Sequence, residues 1–222
     1  MAKIEENLLN IQKQIVNAKQ RANTDQTVNI IAVTKEVDVA RTKEAIEAGL
    51  TNLGENRPEG LMNKLQSINS NVSWHYIGSL QTRKVKQVIN DIDYLHSLDR
   101  LSLAEEIEKR ATKAVKCFIQ VNVSGEESKH GLTKQQALDF VKQLEQFSKI
   151  IVVGLMTMAP FTEDETVIRQ VFKQLKQLQQ EVSQLNIPNV PCTELSMGMS
   201  NDYEIAVEEG ATFVRIGTAL VG

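Results

Sequence analysis

The 222-residue chain carries 25 Lys and Arg against 28 Asp and Glu, a formal net charge of −3, which excludes a phosphate-coating nucleic-acid surface other than a local patch. With 41% hydrophobic and 24% charged residues and 4 prolines, the composition excludes disorder and fibre and predicts a globular protein that buries a core without staples. The length suits one large domain or two small ones, since α/β barrels routinely take about 200–250 residues as one unit.

The N-terminal stretch MAKIEENLLNIQKQIVNAKQRAN interleaves Glu, Lys and Gln with its apolar residues. It therefore has neither an export-type apolar region nor a run of about 18 apolar residues to span a bilayer. The prediction is a cytoplasmic protein with no membrane and no nucleic-acid partner. Ile4, Leu8, Ile11 and Ile15 in this stretch follow the spacing that lines one helical face.

Beyond the first helix, apolar periodicity alternates between strand-like and helix-like, the pattern of a parallel sheet with helical crossovers. Strand-like runs fall at NIIAVT, TNLGE, SWHYIG, YLHSL, KCFIQVNV, IVVGLMT, CTELSM and ATFVRIG. Helices are predicted around 38–49, 58–69, 81–90, 99–113, 133–148, 164–186 and 201–210. In the longest, Val167, Val171, Leu175, Leu178, Val182 and Leu185 share a face and the glutamines form a solvated one. Several strands are apolar on both faces, as when helices cover one side and a packed interior fills the other. These eight units predict a single TIM-type (β/α)8 barrel over 1–222, and an open doubly wound sheet is the competing arrangement. Little chain follows the last strand, so the N-terminal helix is predicted to cover the place of an eighth helix. Cys117 and Cys192 lie in or beside strand-like runs, outside any paired-cysteine motif, and read as buried apolar filler.

Lys35 stands directly after IIAVT, at the carboxyl end of the first strand, where barrels place functional side chains. Desolvated there, its amine is a nucleophile for an aldehyde; alternatively it snorkels to solvent or pairs with Glu36. LSMGMSND and RIGT follow the last two strands, the usual place of a barrel phosphate site. Ser196, Ser200 and Thr218 offer hydroxyls, and Gly198 and Gly217 allow close backbone approach. The competing reading is ordinary turn and capping chemistry, with Ser200 or Asn201 as an N-cap. Arg215 lies between Val214 and Ile216, so alternation sends it into the barrel mouth, to meet either Glu194 or a ligand. In LGEN, Glu55 and Asn56 are polar groups suited to orienting a ligand. His75 reads as a satisfied core histidine, and the three histidines have no spacing that supports a metal site. The loop 124–131 is either a mobile rim or an anion contact through Lys129.

Taken in order, AVTKE, LGEN, WHYIGSLQTRKVK, VNVSGEESKHGL, GLMTMAP and LSMGMSNDYEIAVEEGATFVRIGTALVG resemble the pyridoxal phosphate homeostasis protein family, whose members are similar to the N-terminal barrel of alanine racemase. The resemblance runs from about residue 4 to the C-terminus. It implies pyridoxal phosphate (PLP) held as an internal aldimine on Lys35. It also implies Ser196, Ser200, Gly217 and Thr218 around the cofactor phosphate, Asn56 near the phenolic oxygen, and Arg215 facing the pyridine nitrogen. An always-cationic arginine disfavours protonation of that nitrogen and weakens the ring as an electron sink. The racemase relatives carry a second domain that closes the site, and this chain stops after the barrel.

The expected function is therefore PLP binding in vitamin B6 and amino-acid homeostasis without robust turnover, with no catalytic residue and no metal. PLP-dependent apoenzymes are the partners this role suggests. An open site without a dimerisation element predicts a monomer. A PLP-dependent racemase or lyase is the alternative, and a Schiff-base aldolase acting on sugar phosphates a more distant one.

Overall fold

A computed structural model describes residues 2–125 and 130–222; Lys129 lies outside the described residues. Helix α1 (Ala2–Arg21) buries Ile4, Leu8, Ile11 and Ile15, the stripe set by their spacing. The strands are β1 (Asn29–Val33), β2 (Asn52–Glu55), β3 (Ser73–Tyr76), β4 (Tyr94–Leu98), β5 (Val115–Gln120), β6 (Ile150–Met156), β7 (Glu194–Met199) and β8 (Phe213–Ile216). Each pairs in parallel with its neighbour in sequence, and β8 returns to β1 with Asn29 opposite Phe213 and Ala32 opposite Ile216. That last pairing closes the barrel and excludes the open sheet.

Between strands lie α2 (Val39–Glu47), α3 (Pro58–Leu65), α4 (Val85–Val88), α5 (Leu101–Arg110), α6 (Lys134–Gln143), α7 (Glu165–Ser183) and α8 (Tyr203–Glu208), and α9 (Thr218–Val221) follows β8. Their starts follow local capping chemistry. The Asp38 side chain accepts from Arg41 N at 2.8 Å, Thr133 and Gln136 form a reciprocal capping box, and Asp164 accepts from Thr166 N.

Three details depart from the sequence expectation. β7 begins at Glu194 rather than Cys192, because Cys192 takes φ +45°, which no strand tolerates. In α7 the buried face runs through Ile168, Val171, Phe172, Leu175, Leu178 and Val182, leaving Val167 exposed, and Leu185, also exposed, falls past the end of the helix. One glutamine also turns inward: Gln179 is buried and donates to the Cys192 carbonyl. Both cysteines are buried and unpaired, as filler should be.

The larger core lies between barrel and helices, while Ile31, Phe118, Met156 and Phe213 form a smaller apolar cluster against Tyr94. α9 is a single turn, and α1 packs against α8, α9 and α2, in the place of a full-length eighth helix. Asn7 Nδ2 donates to Leu220 O at 3.1 Å, and Arg41 Nε to Val221 O at 2.9 Å. No helix among the described residues is long and apolar enough to cross a membrane.

Glu208 ties three helices together, accepting from Arg21 Nε at 2.6 Å and from Arg169 Nη2 at 2.7 Å. Its partial burial favours the neutral acid, but the hydrogen bonds from Arg169 and Arg21 outweigh this and hold its carboxyl below the ordinary value. A depressed carboxylate stabilises the fold above its unfolded value and loses that contribution as pH falls through the folded one. Glu208→Gln should therefore cost about 1 kcal/mol at neutral pH, the scale of a half-exposed network, with the deficit vanishing in acid. Urea unfolding at the two pH values reads the difference.

Candidate functional site

The carboxyl ends of the strands surround a cavity of about 850 Å³. Lys35 reaches it from the turn after β1, Asn56 from the end of β2, Ser200 from the turn after β7, Arg215 from β8, and Gly217 and Thr218 from the junction of β8 and α9. Six of the eight residues singled out from the sequence thus share one cavity, assembled from strand ends far apart in the chain.

The other two do not line it. Ser196 is fully buried, and its hydroxyl lies 2.6 Å from Arg215 Nη1 and 2.9 Å from His96 Nδ1, so it is engaged inside the barrel and not offered to a phosphate. Gly198 has φ +92°, and a Cβ there would stand 2.6 Å from Ala206 Cβ. It is glycine so that α8 can pack on β7, which explains its residue type without a ligand.

Lys35 is exposed, so the burial expected of a charge at the end of an apolar run is not found at the side chain itself. The backbone beneath it is firmly held. Thr34 is buried, Lys64 Nζ donates to the Thr34 carbonyl at 2.5 Å and to Glu55 Oε1 at 2.5 Å, and Thr34 Oγ1 donates to the same carboxylate oxygen. Glu55 is therefore no ligand-orienting group. It faces α3 and pairs with Lys64, while its neighbour Asn56 faces the cavity.

Arg215 behaves as alternation requires: Val214 and Ile216 join the core under the helices, while Arg215 points inward. Its partners are Ser196 Oγ and, through Nη2 at 3.0 Å, the Thr157 carbonyl; Glu194 is not among them. Burial lowers its pKa to about 10, against the pull of Asp202, so it remains a cation at neutral pH. Two of its five N–H donors are used by these bonds, which leaves donors for a ligand at the base of the cavity. Asp202, also in the lining, accepts from Met199 N at 2.5 Å; burial raises its pKa, opposed by that hydrogen bond and by Arg215.

Sequence reasoning missed the wall supplied by Met156 at the end of β6, Met158 and Phe161 in the segment that follows, and Ile168 in α7. Phe161 is 97% exposed, so this wall presents apolar surface to solvent as well as to the cavity. The available signal was the run of large apolar residues continuing past the end of a barrel strand.

The histidines were also undervalued as a pair. His75 and His96 are both buried, with Nδ1 of the first 2.9 Å from Nε2 of the second, on adjacent strands β3 and β4. Burial, reinforced by Lys116, lowers the His75 pKa to about 3; burial, His75 and Arg215 lower that of His96. The unfolded chain then binds protons below about pH 6.5 that the fold refuses, so stability falls as pH falls. Each histidine should cost about 2 kcal/mol by about pH 5. His75→Phe should flatten the pH dependence of the urea midpoint between neutrality and that pH.

The cavity residues suit an aldehyde-bearing aromatic phosphate. An accessible amine and unspent guanidinium donors line the same cavity, from the neighbouring strand ends of β1 and β8. A Cβ on Gly217 would meet Val33 at 3.6 Å, ordinary contact, so the protein's own packing does not demand glycine there. In α9, Leu220 and Val221 donate to the Gly217 carbonyl, which leaves the Thr218 and Ala219 N–H groups without an acceptor inside the turn.

The model of the alanine racemase N-terminal domain matches residues 7–222. The pyridoxal phosphate homeostasis protein of Aquifex aeolicus is 37% identical over 98% of this chain and 96% of its own length. The chain belongs to the pyridoxal phosphate homeostasis protein family. Among solved structures, PipY of Synechococcus elongatus with PLP bound superposes with a TM-score of 0.86 at 31% identity, covering 99% of this chain and 100% of that one. An alanine racemase of Clostridium difficile, 13% identical with a TM-score of 0.77, shares the fold over 99% of this chain and 56% of its own. The barrel of these neighbours thus shares the closed eight-stranded fold described above.

Proposed function

We propose that this protein binds pyridoxal phosphate in the cavity as a Schiff base on Lys35 and acts in intracellular PLP and amino-acid homeostasis without robust turnover. The observation that carries this reading is the convergence of an exposed lysine amine and the free donors of buried Arg215 on one cavity of about 850 Å³. Lys35 would hold the cofactor through its amine, whose condensation with an aldehyde would release one water. The bound group supplies electron-sink chemistry, which a cationic partner at its ring nitrogen restrains.

The residues divide the remaining work. Arg215 would donate toward the ring nitrogen, Asn56 would orient the ring from its phenolic side, and Ser200, Gly217 and Thr218 would hold the phosphate. Relatives that match this chain end to end carry the homeostasis name, which supports a holding role over a catalytic one. We assign the protein to the cytoplasm as a one-domain monomer, with PLP-dependent apoenzymes as the recipients of its cofactor.

Incubating the loaded protein with a panel of L-amino acids in heavy water tests this reading. Exchange of the α-proton should stay near the rate of free PLP. Rapid exchange with any amino acid would make the protein an enzyme.

A further inference from the structure

The barrel interior contains an unbroken line of polar side chains from its amino-terminal half to the cavity. Arg215 Nη1 lies 2.6 Å from Ser196 Oγ, His96 Nδ1 2.9 Å from the same oxygen, His96 Nε2 2.9 Å from His75 Nδ1, and His75 Nε2 3.0 Å from Asn52 Oδ1. We propose that Ser196, His96, His75 and Asn52 form a one-directional hydrogen-bond relay that positions Arg215 at the base of the cavity, and so sets the environment it gives the bound ring.

The direction follows from chemistry at the two ends. A guanidinium only donates, so Ser196 Oγ accepts from Arg215, and with an acceptor, Asn52 Oδ1, at the far end the Ser196 hydrogen goes to His96 Nδ1. His96 then carries its hydrogen on Nε2 and donates to His75 Nδ1, and His75 in turn donates from Nε2. The last atom, Asn52 Oδ1, is an acceptor, as this order requires. The reverse order would set a bare imidazole nitrogen against a carbonyl oxygen. Both rings are neutral in this scheme, in agreement with the burial that lowers their pKa values.

The rings are also held in place. His75 stacks on Tyr94 at 4.4 Å and 1°, and His96 on Phe118 at 4.4 Å and 23°. With their planes fixed, the direction of the Ser196 hydroxyl is fixed, and with it the placement of Nη1. Thr157 O holds Nη2 in the same way. These residues act on a bound group only through Arg215, so they are positioning residues.

The role at the ring rests on the reading of the site given above, whereas the relay itself is testable without cofactor. In the protein without added PLP, nitrogen NMR of isotope-labelled histidines should show His75 and His96 as neutral Nε2–H tautomers at about pH 6, with His130 assigned by its replacement. A cationic ring, or an Nδ1–H tautomer at His96, would overturn the relay. Ser196→Ala should shift the His96 Nδ1 signal and speed the solvent exchange of the Arg215 side-chain N–H, and Ser196→Thr should restore both. An unmoved Arg215 signal in Ser196→Ala overturns the positioning role.

In the PLP-loaded protein, Ser196→Ala should shift the visible absorption band while Lys35 is still labelled. An unchanged band overturns the influence on the ring. Failure of the wild-type protein to take up PLP would instead sink the proposed function, and the NMR results would still judge the relay.

Discussion

Lys35→Ala should abolish retention of pyridoxal phosphate through gel filtration and weaken its equilibrium affinity by at least about a hundredfold, roughly 2.7 kcal/mol. On the proposed reading the amine would supply the covalent bond to the cofactor, while the proposed phosphate and ring contacts would be individually modest. Exposure makes the substitution clean: Lys35 lies in a turn with its side chain exposed, so the fold should survive. Lys35→Arg separates the two things a lysine offers. It keeps the positive charge at the mouth but presents a guanidinium, which is not a nucleophile at neutral pH. Retention by the arginine variant would show that charge, and not condensation, holds the cofactor. Fluorescence titration and a visible spectrum of each variant distinguish these cases.

Lys64→Met should destabilise the protein by about 3–5 kcal/mol, because removing one partner of a buried ion pair leaves the other charge uncompensated. Glu55 loses its cation and the Thr34 carbonyl loses one of its two donors, both at 2.5 Å, keeping only Val37 N. The effect should extend to function, since Thr34 is the residue on which the Lys35 turn is anchored, and cofactor affinity should fall without any change to a cavity-lining side chain. Replacing both partners in Glu55→Leu, Lys64→Met should cost less than Lys64→Met alone, as no orphan charge remains. Urea unfolding measures the first effect and PLP titration the second. A double variant as unstable as the single one would show that the cavity left behind, rather than the unpaired carboxylate, causes the loss.

Much of this architecture was legible in local pattern. The stripe of Ile4, Leu8, Ile11 and Ile15 specified α1, and the flanking of Arg215 by Val214 and Ile216 specified which way Arg215 faces, because the side-chain period of a strand is fixed. The strand-end position likewise placed Lys35 and Asn56 at the cavity. What eluded the sequence were contacts between elements. Ser196 and Ser200 sit in one short Ser/Gly cluster, yet the first lies inside the barrel and the second in the turn beyond it, and only the point where β7 ends separates the two. Glu55 and Asn56 are adjacent and face opposite ways, but its partner Lys64 belongs to the following helix. His75 and His96 meet because β3 and β4 are neighbours with His75 opposite Tyr94, a register no single strand encodes.

Lys35 is the residue proposed to hold the cofactor. Borohydride reduction of the PLP-loaded protein, followed by peptide mapping with mass spectrometry, tests this most directly. The prediction is one phosphopyridoxyl group, on the peptide carrying Lys35. Labelling of another lysine in its place, or no labelling of a protein that has taken up the cofactor, would contradict it.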